Sequence, residues 1–388
     1  MTSVGAIGTH VRTDVLIVGG GLTGAATAYF LAREGVDVLL IEQFELNTQA
    51  SGANAGSIHA QIAHEPFVKG GEEWARVYAP TIPLMMASID LWGELQDEIG
   101  PELGVHIGGG LIVAETDEHM AQLERKAAIE RGQGLPVDLI GRDELRSLAP
   151  YVSERMIGGA FCPVEGKANP LQATASIARA ATACGADIRT HVRLEGLERD
   201  DGGFRAATST GTIHAGRVVD CAGADAGRIA AMVGIDLPIE GHPIQVSVTE
   251  RIAPLVPHLV YFAGAKLSLK QTVQGSVLIG GGWPARRDER SGTLSVDPCS
   301  LSLNLGVALS VVPSLDGINL VRTWPAVVNG TSDWKPIIGE IPKVPGFYIS
   351  MFPWMGFTAG PIAAQMVSQL VCGRRPDQDL SQFSAERY

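Results

Sequence analysis

Gly19, Gly21 and Gly24 have the spacing G-x-G-x-x-G within DVLIVGGGLTGAATAYFLAREGVDVLLIEQ, and Glu42 stands near the end of that stretch. The pattern suits chemistry on a dinucleotide. The first glycine permits a tight turn, the second lets a pyrophosphate reach the backbone, and the third lets a helix and a strand pack closely. A carboxylate at Glu42 accepts hydrogen bonds from ribose hydroxyls and repels a 2′-phosphate, which disfavours NADP. The elements that must position these groups are legible around them. VLIV reads as a buried parallel strand, GAATAYFLAREG as a helix stopped at Gly35, and VDVLLIE as a second strand. The helix N-terminus, at Leu22 and Thr23, offers unpaired N–H groups and a positive dipole end to the phosphates. A glycine-rich turn packed for its own sake would leave Glu42 unexplained.

The residues after Glu42 and Gln43 favour FAD over NAD. A nicotinamide dehydrogenase would continue with strand–helix repeats, but here the chain enters QASGANAGSIHAQ, with Ser51, Asn54, Ala55, Gly56 and His59. Small side chains of this kind let backbone N–H groups approach a second large ring system. Further on, RVVDCAGADAG reads as a strand that returns to the nucleotide sheet and ends at the cofactor, at Ala222 and Gly223. GADIRTHVRLEGLERDDGGFRAATSTGTIHAGRVV reads as successive short strands with turns at DDGG and STG.

Composition narrows the class. The 388 residues are 45% hydrophobic and 19% charged, enough for one large domain or two interleaved ones. A formal net charge of −12 argues against nucleic acid and against an anionic membrane surface. The five cysteines contain no CxxC pair, so neither a disulfide frame nor a metal or iron–sulfur site is expected. The opening MTSVGAIGTHVRT reads as no secretory signal, and no apolar run is long enough to span a membrane. The expectation is a soluble, cytoplasmic protein. The apolar stripe of TIPLMMASIDLWGELQDEIG (Leu84, Met85, Ile89, Trp92) has helical spacing and reads as core packing.

With these motifs the chain resembles the D-amino acid oxidase/glycine oxidase/sarcosine oxidase family of FAD-dependent amine oxidoreductases. It is most similar to the bacterial subunits of the opine oxidase, hydroxyproline dehydrogenase and hydrogen cyanide synthase type. The resemblance covers nearly the whole chain: the glycine fingerprint, ASGANAGSIH, EGKANPLQATASIARAATACGADI, RVVDCAGADAGRIAAMVG, GSVLIGGGW, and RTWPAVVNGTSDWKPIIG with GFYISMFPWMGFTAGPIAAQM. It implies an α/β fold in which a Rossmann-like FAD-binding domain (1–61, 164–237, 322–388) is interleaved with an α+β, antiparallel-sheet substrate domain (62–163, 238–321). It implies adenine held through the backbone near Val192. It also implies a helix opening at Gly356, Phe357 and Thr358 whose N–H groups face the flavin. In the family a C–H bond beside a neutral amine gives hydride to flavin N5, and the imine then hydrolyses.

Several family positions are changed. Ala326 stands where monomeric sarcosine oxidases attach the flavin through cysteine, so the FAD is expected to be non-covalent at that point. Val328 replaces a substrate-clamping arginine of many glycine-oxidase-like relatives, and Trp354 and Met355 stand where a second arginine is found in some. The usual aromatic of the substrate strand is Ser268, and the oxygen-assisting lysine is Leu278. The cations left are Lys270 and Lys335, with His59 and His242 as switchable groups. Ser268 and Lys270 share a strand face, which makes Lys270 a candidate receiver of an anionic substrate group. His59 is a candidate for substrate or flavin contact, and Trp354 with Phe357 for an apolar wall suited to an N-substituted amine. Loss of the lysine at position 278 favours a dehydrogenase, with an electron-accepting partner subunit. A non-catalytic, FAD-stabilised subunit is the alternative.

Overall fold

The computed structural model describes residues 10–388, so most of the N-terminal stretch read above as lacking a secretory signal lies outside the described residues. The first strand, His10–Val18, leads through the glycine turn into the helix Leu22–Arg33. It pairs in parallel with Val38–Ile41 on one side and Gly211–Asp220 on the other. Val15, Leu16 and Ile17 are fully buried, as a parallel strand covered on both faces demands. Asp187–Arg189 extends the sheet in parallel beyond Val38–Ile41. Leu194–Asp200 and Gly203–Thr208 extend it antiparallel beyond Gly211–Asp220, turning at the DDGG and STG sites expected from sequence. Phe347–Met351 adds to Gly211–Asp220 in parallel, which completes the mixed α/β core with Ile337–Glu340 at its side.

A second eight-stranded sheet runs in the order Leu320–Gly330, Glu240–Arg251, Ser276–Gly280, Ser268–Gln271, Leu259–Phe262, Gly110–Ala114, Gly158–Cys162, Asp138–Gly141. All its neighbours are antiparallel except Leu259–Phe262 with Gly110–Ala114. One boundary differs from the expected division. Residues 322–330, assigned from sequence to the FAD-binding part, pair with Glu240–Arg251 and so belong to this second sheet. Nothing local in the run RTWPAVVNG selects a sheet, and its choice is fixed by a partner some eighty residues earlier.

Two helices complete the packing beside the nucleotide sheet. Ile82–Ile99 carries the expected apolar stripe inward, with Trp92 fully buried. Gly356–Val371 packs against both Ile82–Ile99 and Leu22–Arg33. Among the described residues no helix is long and apolar enough to cross a membrane.

Candidate functional site

The glycine turn is packed to its limit. Gly19 has φ +111°, and a Cβ on Gly24 would lie 1.9 Å from the Gly19 carbonyl oxygen, so the helix begins directly on the turn. Its first residues cannot bond within the helix. Leu22 N–H instead donates to Ser51 Oγ at 2.9 Å, which places the small-residue loop at the N-terminal end of the helix. Thr23 lies where the C-terminal helix crosses, its hydroxyl beside Gly360. Gly21 is the N-cap, in extended conformation.

Glu42, 9% exposed, accepts from Gly20 N–H (2.7 Å) and Phe44 N–H (2.8 Å), one on each oxygen. These bonds hold the carboxylate at the strand end, and each oxygen keeps a lone pair for a ribose hydroxyl. Gln43 is tied to Asp225 at 3.3 Å. Across the turn, Ala222 packs on Gly19 and its N–H donates to Asp220, while Gly223 has φ +60° with open space beside it. Asp220 is fully buried with one oxygen unpartnered among the described residues, and burial pushes its pKa up to about 8. The folded chain therefore binds a proton there between roughly pH 4 and pH 8 that the unfolded chain does not, and stability falls as pH rises through that window. The expected slope from this group is at most about 1.4 kcal/mol per pH unit. Asp220→Asn should remove it, so the difference in unfolding free energy between variant and wild type should widen from pH 5 to pH 8. A constant difference would place the titration elsewhere.

Two expected cofactor contacts are engaged otherwise. The Asn54 side chain is spent on its own loop, donating to Ala50 and Ser51 carbonyls and accepting from Gly56 N–H. Val192 N–H donates to the Glu42 carbonyl at 2.8 Å, leaving only its carbonyl for a ligand. Ala55 lies between these braces, and Gly56 (φ +77°) is packed so tightly on Ala168 that a Cβ would lie 2.4 Å from its oxygen.

The second sheet turns one face towards this loop. Directly paired residues share a face, and the register runs Val328–His242, Ala326–Ile244, Trp324–Val246, then Gly280–Ser268 and Leu278–Lys270. All the altered positions on these strands therefore lie side by side. Trp324 Nε1 donates to the Ala53 carbonyl (2.8 Å) and Lys270 Nζ to Ser57 Oγ (2.8 Å), so the face meets the loop at both ends. Lys270 is 2% exposed, and burial, with Lys167 nearby, holds its pKa well below the usual lysine range. His59 sits beside it. Its ring lies 5.6 Å from Tyr261, its N–H donates to Thr358 Oγ, and burial with Lys270 lowers its pKa to about 4, so the imidazole is neutral at physiological pH. Lys335 lies off this face, in the turn where Thr331 donates to its carbonyl.

Trp354 stacks between His242 (4.6 Å) and Trp334 (4.8 Å), which meets Trp74 edge-on. Trp334 and Trp354 both have φ near +60°, a costly conformation for bulky residues that persists where surrounding structure enforces it. The Trp354 Nε1 is buried without an acceptor among the described residues. The helix then opens at Gly356. Phe357 packs on Trp92 at 5.1 Å, and the Thr358 carbonyl accepts from Ser88 and Trp92. Trp92, expected as core alone, is also a brace for this helix end.

The glycine cradle, the hydroxyl and carboxylate at its rim, and a second helix N-terminus across the loop fit a dinucleotide carrying a second ring system. Residues 14–370 match the family described as FAD dependent oxidoreductase, DAO. The chain belongs to that family. It is 27% identical to an opine oxidase subunit of Rhizobium meliloti over 97% of this chain and 98% of the relative. It is 29% identical to glycine oxidase of Geobacillus kaustophilus (strain HTA426) over 98% of each. The crystal structure of glycine oxidase from Geobacillus kaustophilus superposes with TM-score 0.85 at 26% identity, covering 97% and 99% of the two chains. That of L-proline dehydrogenase from P. horikoshii superposes with TM-score 0.87 at 24% identity, covering 98% of each. This family member is thus an FAD-dependent oxidoreductase of the amine and amino acid oxidising kind.

Ser57, Tyr261, Trp324 and Trp334 also belong to the site, although the sequence does not mark them as site residues. Ser57 lies in the small-residue loop itself, and the three aromatics reach the site through long-range contacts that residue type and local spacing do not reveal.

Proposed function

We propose that the chain oxidises an N-substituted amine or amino acid carrying an anionic group, at the C–H bond beside nitrogen, to an imine that water then hydrolyses. FAD, when bound, supplies the two-electron acceptor. Gly19, Gly21, Gly24, Leu22, Thr23 and Ser51 would hold its phosphates and Glu42 its ribose, while Gly356, Phe357 and Thr358 would aim N–H groups at its ring end. No cysteine stands at position 326, so no thioether forms there.

The observation that carries the substrate reading is Lys270. An ammonium has three donors, and among the described residues this buried one has a single neutral partner, Ser57. It lies on the face where Val328 and Ala326 offer no charge. A substrate carboxylate would supply the missing counter-ion and draw the lysine into its charged form. Trp354, with Trp334 behind it, would wall the opposite side with aromatic surface, and neutral His59 would orient the substrate without adding charge. Two relatives are named as single subunits, one of an opine oxidase and one of a sarcosine oxidase, which supports an electron-accepting partner here as well.

The test is anaerobic mixing with glycine, sarcosine, proline, hydroxyproline, D-amino acids and opines, following flavin bleaching near ~450 nm. Lys270→Met should lower kcat/KM about 100-fold for a carboxylate-bearing substrate, as expected for removing one partner of a buried charge pair. It should spare the corresponding uncharged amine. Equal losses on both would remove Lys270 from anion binding. A bound flavin that no member reduces would favour the non-catalytic subunit, for which the missing arginine at Val328 is the supporting observation.

A further inference from the structure

Segment 57–62 pairs through Ser57–Ile58 with Gly166–Lys167 and is otherwise held by side chains from elsewhere. Ser57 Oγ accepts from Lys270, and its carbonyl accepts from Thr358 Oγ (3.2 Å), which in turn accepts from His59 N–H (3.1 Å). Ile62 N–H donates to Glu130 at 2.6 Å. Between them, Ala60 N–H and Gln61 N–H both donate to one oxygen of Glu165, at 2.7 Å each, and Gln61 Nε2 donates to the other at 3.1 Å. Glu165 is fully buried and has no part in the substrate contacts proposed for the strand face.

Its place in the chain gives this contact its importance. Segment 57–62 is where the chain leaves the nucleotide part for the second sheet, and Gly158–Cys162 followed by Gly166–Lys167 is where it returns. Glu165 joins the two crossings. It also packs on Gly110, the first residue of a second-sheet strand, where a Cβ would lie 1.7 Å from the Glu165 carboxylate. Gly109 N–H donates to the Glu165 carbonyl at 2.8 Å. One carboxylate thus fixes the loop, the return strand and the start of an interior second-sheet strand relative to each other, and the adjoining Ala60 is the neighbour of His59.

We propose that Glu165 is a positioning residue for the flavin-facing segment, setting the orientation of His59 through its bonds to Ala60 and Gln61. The proposal rests on the reading that FAD lies along the 49–61 loop. Keeping a carboxylate this deeply buried is costly, and burial pushes its pKa up to about 7. A residue whose only task was to fill space here could be apolar. Two converging backbone N–H groups are what require an acceptor at this point.

The experiment uses the FAD-loaded full chain and compares Glu165→Ala, Glu165→Asp and Glu165→Gln, each alone and combined with His59→Ala. The readouts are FAD stoichiometry, the visible absorption and circular dichroism of the flavin, and its rate of reduction by the best substrate. Glu165→Gln keeps one oxygen able to accept both N–H groups and should match wild type within about twofold. Glu165→Asp retains charge but withdraws the acceptor by one methylene. It should alter the flavin dichroism and slow reduction about tenfold, a loss of roughly one good hydrogen bond to a charged group. Adding His59→Ala to it should cost less than His59→Ala costs wild type, because the two act through one geometry. Glu165→Ala should resemble Glu165→Asp or lose FAD. Normal dichroism and rate in the aspartate variant, or independent effects of the two sites, would overturn the proposal and leave Glu165 a structural group. If His59→Ala in wild type leaves the flavin spectrum unchanged, the placement of FAD along the loop fails, and the proposal with it.

Discussion

Gly24→Ala should purify without yellow colour. The added methyl would lie 1.9 Å from the Gly19 carbonyl oxygen, a backbone atom of a turn held by the Gly19 N–H bond to the Ile41 carbonyl at 2.9 Å. The helix must therefore move off the turn, and its N-terminal N–H groups leave the place proposed for the phosphates. Overpacking of this kind costs about 1–3 kcal/mol, and spent on the bound state it weakens FAD about 10- to 100-fold. The check is the ratio of flavin to protein absorbance after gel filtration, with a titration of added FAD. Gly93→Ala is the control. It lies mid-helix with nothing within 4 Å of the new methyl among the described residues, and it should keep its flavin and gain slight stability. A fully loaded Gly24→Ala protein would show that the turn does not carry the pyrophosphate.

The second large effect falls on folding. Lys126 and Glu130 form an ion pair with both side chains fully buried, one turn apart on the helix Asp117–Gly132. Glu130 also accepts from Ile62 N–H, at the end of the segment that Glu165 holds. Lys126→Met would leave a buried carboxylate uncompensated, an expected loss of about 3–5 kcal/mol in urea unfolding at pH 8. Burial already raises the Glu130 pKa, and losing the lysine raises it further. A raised carboxyl destabilises only where it must ionise, so the deficit should shrink as pH is lowered towards 5. Lys126→Met combined with Glu130→Gln should recover most of the loss, since the amide oxygen still accepts from Ile62. A deficit below about 1 kcal/mol for the single variant would mean that the pair is hydrated and not sealed in the core.

The nucleotide half was legible because its signals are local. Gly19, Gly21, Gly24 and Glu42 lie within one βαβ unit, and the roles proposed for them rest on turn geometry and a helix end, which neighbouring residues determine. Gly356–Thr358 is the same kind of signal, a helix opening marked by small residues. Asn54 and Val192 make bonds within the chain that the sequence did not show. A short polar residue in a tight loop can bond to its own backbone, and a strand-end N–H can be taken by a neighbouring strand, neither of which residue type reveals.

The candidate substrate face was legible only in pieces. Lys270, Val328, Ala326 and Ser268 stood out one by one, but their common face depends on four strands pairing in register across the second sheet. The same pairing moved 322–330 out of the nucleotide part. Tyr261 reached His59, and Trp334 reached Trp354, across separations that no periodicity encodes. In the sequence Glu165 only opens the resembling stretch EGKANPLQATASIARAATACGADI, with no role marked for it. Its burial under two backbone N–H groups comes from the chain crossing twice at one place.

Taken alone, the sequence was enough for the family, the cofactor class and the absence of a cysteine or arginine at Ala326 and Val328, because these depend on residue identity at spacings set by one turn or one helix. Which polar groups end up dry, which charges face each other and which strand face meets the flavin loop depend on long-range packing. There the free energy comes from burial and strand register, and residues far apart in the chain decide it together.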